Sequence, residues 1–145
     1  METRRLIGIV PGAQLSAARQ RIVTELHREF GMALLKRNLA GLQAHLASDV
    51  VFESQAVLEP LHGAAAVLRH LARKFEAVAA TGNATDLWLG VVDLPKAADH
   101  PCLVAQQGQV RFLFVLKEAA GLIQRVDILT VAPSPASARC LEQIG

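Results

Sequence analysis

Tyrosine is absent, tryptophan occurs once, and only two cysteines are present. Without tyrosine there is no phenol to donate a proton in any chemistry the chain performs. Cys102 and Cys140 form no CxxC pair, which argues against both a disulfide framework and a zinc site, and points to a reducing, cytoplasmic setting. No stretch approaches the ~20 apolar residues of a membrane helix. The apolar run Leu6–Val10 is shorter than the roughly 7–15 residues of a secretory core and stops at Pro11-Gly12. His45, His62, His70 and His100 are scattered without ligand spacing, so no metal is expected. The net charge is only +2, and its cations are spread along helices, a poor footprint for nucleic acid. Internal repeats and low-complexity tracts are also missing.

What is present is apolar. The 145 residues are 52% hydrophobic with a mean hydropathy of +0.31. One domain of this size buries about 68–70% of its unfolded surface. The apolar surplus suits an oligomer interface or a cavity wall.

The organising stretch is LASDVVFESQAVLEPLHG, residues 46–63. Val50-Val51-Phe52 is short, β-branched and aromatic, and predicts a strand. Glu59-Pro60 breaks the exit, and Gly63 opens a helical stretch. Upstream, Ser16 is a candidate N-cap, and Ile22, Leu26, Phe30 and Leu34 recur every fourth position as one helical stripe. Gly31 inside that helix marks close packing or the approach of a ligand. Asn38 ends the helix, and Leu39, Leu42 and Leu46 carry a shorter one. Val67, Leu68, Leu71, Phe75 and Val78 predict a third, with Arg69, Arg73 and Lys74 largely on its other side. Strands are predicted over residues 85–94, 102–107, 109–117 and 122–131. Residues 95–101 read as a loop, and the tail SARCLEQIG as one helical turn. The organisation expected is an arm over 1–15, one domain over 16–132 and a tail over 133–145. Helices followed by strands give an α+β class, with helices on one face of an antiparallel sheet.

That order and the organising stretch resemble the nuclear transport factor 2-like superfamily, also known as SnoaL-like or cystatin-like, over about residues 16–132. The resemblance implies a curved sheet wrapped as a cone around an apolar pocket, capped by a long N-terminal helix and two shorter ones. At residue level the chain is similar to ketosteroid isomerase, aligning without a gap from Phe30 to Gly63. It departs where that family does its chemistry. Ser54 stands at the aspartate base, Phe30 at a tyrosine donor and Leu113 at a protonated aspartic acid. An unactivated hydroxyl is no base near neutral pH, so enolisation by that route is not expected. An epoxide-hydrolase arrangement needs two acids around an arginine. Arg111 is a candidate cation, but Asp127 alternates away from it. A scytalone-dehydratase arrangement needs tyrosines; His62 and His70 are present and tyrosines are not.

The alignment with period-two alternation puts Phe52, Ser54, Arg111, Leu113, Val115, Val126, Ile128 and Thr130 on the pocket face. Phe112, Phe114, Arg125 and Asp127 fall on the convex face, where this superfamily commonly dimerises. The expected pocket set is Phe30, Leu34, Phe52, Ser54, Trp88, Arg111, Leu113, Ile128 and Thr130, with no catalytic residue identified. Arg111 either snorkels to solvent at the cone mouth or anchors an acidic ligand, since a guanidinium stays charged and needs water, a carboxylate or an anion. The expectation is therefore a cytoplasmic homodimer, joined through its convex face, that binds a small apolar molecule, acidic if Arg111 faces the pocket. It has no cofactor, metal, nucleic acid or membrane partner. The alternatives are a lyase, isomerase or hydrolase with an unidentified residue set, and a structural domain whose cone is filled by side chains.

Overall fold

Ser16 caps the first helix: its Oγ accepts from the Arg19 N–H at 3.2 Å. The computed structural model describes residues 14–56, 59–82, 85–131 and 133–145, so the expected extended piece at Leu6–Val10 lies outside the described residues. Helix α1 runs Ala17–Leu35. Its buried face is Val23, Leu26, His27, Phe30, Gly31 and Ala33, while Ile22 is 47% exposed. The expected stripe is thus turned toward Val23 and His27 at its N-terminal end.

α1 closes with Arg37 N–H donating to the Leu34 carbonyl and Asn38 N–H to the Ala33 carbonyl, a Schellman turn. Asn38 then caps α2, Leu39–His45, through Oδ1 to the Gly41 N–H. Strand β1, Leu46–Ser54, follows without a gap, and β2, Leu61–His62, folds back on it. Helix α3 is Ala64–Thr81.

The strands β3 (Asp86–Leu94), β4 (Ala97–Gln107), β5 (Val110–Ala119) and β6 (Leu122–Leu129) form a meander. Residues 95–101 are not the expected loop. Pro95 and Lys96 alone make the turn, and β4 begins at Ala97. Pro101 is tolerated in β4 because its pairing with β5 extends only as far as Leu103↔Phe114. The tail corrects a second expectation. After a 3₁₀ turn at Pro135–Ser137, residues Arg139–Gln143 are a strand, β7, antiparallel to β3.

The seven-stranded sheet has the order β2-β1-β6-β5-β4-β3-β7. It is mixed rather than wholly antiparallel, because β1 runs parallel to β6. Among the described residues three helices lie on this curved sheet, an α+β fold. Going from β6 to β7 the chain passes to the far side of the sheet: the 3₁₀ turn packs on β5, and Pro135 and Ala138 are buried. The sheet is therefore apolar on both faces. The concave face joins Phe30, Phe52, Leu103, Phe114 and Val126 in one core, and the convex face joins Val92, Val104, Leu113, Val115 and Ala138 in another. Among the described residues no helix is long and apolar enough to cross a membrane.

Candidate functional site

A cavity of about 560 Å³ lies between the concave face, the end of α1 and the length of α3. Its sheet wall is Phe52, Leu87, Ala105, Phe112, Phe114 and Ile128, and its helix wall includes Leu34, Leu71, Phe75 and Val78. α3 buries only Val67 and Leu71 outright; Phe75 and Val78 are half-buried and line the cavity.

The aromatic wall is continuous. Phe112 and Phe114 have ring centroids 5.6 Å apart, and Phe30 meets Phe114 edge-on at 5.9 Å. Phe52 packs against the imidazole of His70 at 5.3 Å. Polar groups are few. Ser54 Oγ accepts from the Ala56 N–H at 3.1 Å. Gln107 donates to Thr85 Oγ1 at 2.7 Å. Thr130 also lines the space, its backbone N–H held by Gln55 Oε1 at 2.8 Å. His70, Arg37 and Lys74 are the titratable members of the described lining. Partial burial, with Lys74 and Arg73 nearby, lowers the His70 pKa, so the ring is neutral at neutral pH.

Of the expected pocket residues, Leu34, Phe52, Ser54, Ile128 and Thr130 line the cavity. Phe30 is fully buried behind Phe114. Leu113, Trp88 and Arg111 lie on the opposite face. Leu113 and Trp88 belong to the convex core, and the Arg111 guanidinium stacks on Trp88 at 5.8 Å and bonds Gln106 at 3.2 Å. The face assignment of β5 is therefore inverted: Phe112 and Phe114 point into the cone, and Arg111, Leu113 and Val115 point out. Arg111 cannot anchor a ligand in this cavity. At the second donor position of ketosteroid isomerase the cavity side of β5 offers phenylalanine, so no proton donor is recovered by the correction.

β6 has the expected faces. Val126 and Ile128 are concave, while Asp127 is convex. On the convex side Arg125 holds Asp127 through Nε at 3.0 Å and also pairs with Glu53. Burial raises the Asp127 carboxyl to about 6 in spite of Arg125. The acid and arginine of an epoxide-hydrolase arrangement are thus directed away from the cavity. Residues that sequence reasoning left outside the site are Arg37, Lys74, Thr85, Gln107, Phe112 and Phe114. For Lys74 a signal existed, its i,i+4 spacing from His70 on one helix face.

No family model matches the chain, and no curated protein matches it in sequence. Solved structures do. A SnoaL-like protein of unknown function from Burkholderia thailandensis matches with a TM-score of 0.61 at 11% identity, over 79% of this chain and 96% of that one. A steroid delta-isomerase from Pseudomonas aeruginosa matches at 0.53 and 17%, over 81% and 82%. An LEH-like epoxide hydrolase from M. tuberculosis matches at 0.51 and 15%, over 77% and 84%. At these identities the likeness is one of architecture, and it agrees with the cone built here from its strands: the chain has the nuclear transport factor 2-like fold.

Proposed function

We propose that the protein is a binding module that holds a small, largely apolar molecule in the cone. The observation that carries this is the cavity itself. A space of about 560 Å³ with mostly apolar walls is of the size that takes drug-sized ligands, typically 300–1,000 Å³. The few fixed polar groups, Ser54, Thr130 and the Gln107–Thr85 pair, would orient the occupant rather than supply most of its binding energy. The cysteines are unpaired, which suits a reducing, cytoplasmic setting.

The test is displacement of a polarity-sensitive apolar dye. The native protein should bind the dye, and Thr130→Trp, which fills the cavity from a half-buried position, should lose it with the fold intact. Equal dye binding by both would place the dye elsewhere and remove the reading.

His70 favours a second reading, an isomerase, lyase or hydrolase. A neutral imidazole on the cavity wall is competent as a general base. Its test is turnover of a β,γ-unsaturated ketosteroid, expected to be negligible because Ser54 is not a carboxylate base and Phe112 and Phe114 offer no proton. Turnover that His70→Gln abolishes would reverse the preference between the two readings.

A further inference from the structure

We propose that the occupant of this cavity is an apolar monoanion, a carboxylate on a hydrocarbon or aromatic body, with its head at the rim formed by Arg37 and Lys74. The proposal rests on the binding reading above and names the chemical class of the ligand. Both side chains line the cavity and both are exposed, which places them where the apolar walls meet water. The described lining contains no carboxylate to neutralise them. Neither is ion-paired among the described residues, whereas Arg19, Arg28, Arg125 and Arg139 all are. The positive field also reaches inward, since Lys74 and Arg73 both disfavour protonation of His70.

Arg37 carries the stronger argument. It sits at φ 53° at the position of a Schellman turn where glycine is the usual residue. An L-residue in the left-handed region is strained, and such strain concentrates at functional positions. The turn does not need the guanidinium. The Met32, Ala33 and Leu34 carbonyls already accept from the backbone N–H groups of Lys36, Asn38 and Arg37. The side chain is therefore free to serve the cavity rather than the helix end.

Left to its apolar walls, the cavity would prefer an ester to an acid, because a carboxylate loses hydration on entry. A preference for the acid thus reports the cations. Decanoic acid and methyl decanoate are compared by dye displacement at low salt and about pH 8, where the acid is ionised. The native protein should bind the acid about fivefold tighter, the size two exposed ion pairs supply, and added salt should shrink that ratio. Arg37→Gly should raise the melting temperature by relieving the turn and at the same time lower the acid-to-ester ratio. Lys74→Met should lower the ratio too, and the double variant should bring it below one. Lys36→Met, exposed and outside the lining, is the control and should leave the ratio as in the native protein. Equal binding of acid and ester by the native protein, or a ratio that Arg37→Gly does not move, overturns the anion proposal and leaves apolar binding standing. Binding of neither probe overturns both.

Discussion

His27 is the residue whose environment most constrains its chemistry. It is fully buried on α1, its Nδ1 lies 2.7 Å from the Val23 carbonyl, and its Nε2 accepts the Leu116 N–H at 3.0 Å. That N–H belongs to β5 two residues beyond the last β4 pair, where Pro101 and the end of the ladder leave β5 unpaired on its β4 side. The ring replaces a missing strand bond and must be neutral to do so, and burial brings its pKa down to about 3. Between about 6.5 and 3 the unfolded chain binds a proton at this site and the native protein does not, so the stabilisation is complete above 6.5 and is lost as pH falls toward 3. Asp127 works in the opposite sense. Its native pKa of about 6 lies above the ordinary 3.8, so its contribution is complete below 3.8 and lost as pH rises through 6. His27→Leu isolates the first effect, because Asp127 is common to both proteins. The variant leaves a buried N–H unpaired and should be about 1–3 kcal/mol less stable at neutral pH in urea titrations. The deficit should narrow on acidification. A gap independent of pH would mean that His27 is not held neutral.

At the scale of elements, β7 and β5 explain one another. Beyond β7 the pairing with β3 continues, Leu87 N–H donating to the Gly145 carbonyl and Ile144 N–H to the Leu87 carbonyl, at 2.8 and 2.9 Å. Ile144 reaches α1 at Gly31, where an added Cβ would stand 2.5 Å from its Cδ1. Of the two readings open for Gly31, close packing is the one the structure supplies. Gly90 on β3 is as close and yields less, since its Cβ would meet the Arg139 backbone carbonyl, also at 2.5 Å, rather than the tip of a side chain. Gly90→Ala should therefore push β7 off the edge, cost about 1–3 kcal/mol and speed hydrogen exchange at Leu87 and Ile144. Unchanged exchange there would contradict the close approach. The same tail made β5 illegible. With Pro135–Ala138 over one face and α1 over the other, Phe112 to Leu116 are all wholly or partly buried, and alternation carries no face information. β6, with polar Gln124, Arg125 and Asp127 between apolar residues, was read correctly for the opposite reason. The helices, their caps and the strand at Val50–Phe52 were legible because each is a local pattern. Arg37 was not, because a cavity rim is made by elements distant in sequence, and Lys74 only through its spacing from His70.

For the whole molecule, the relocation of Phe112 and Phe114 removes the original ground for a convex-face dimer. Those rings now line the cone, and part of the convex face is covered by the chain's own 3₁₀ turn. A homodimer remains a proposal on what is left, the apolar surplus at the surface: Val131 and Leu141 are 72% and 68% exposed. Single exposed apolar residues are ordinary, so in such a dimer the two are covered together in one patch. Light scattering at micromolar concentration should then return twice the 15.6 kDa chain mass. Val131→Asp should shift the population to monomer, since a charge buried without a partner is costly. Phe112→Glu, by contrast, should abolish dye binding in the cone without changing the mass. A native species of 15.6 kDa would remove the dimer and leave the cavity argument untouched, because every described residue lining the cavity belongs to this one chain.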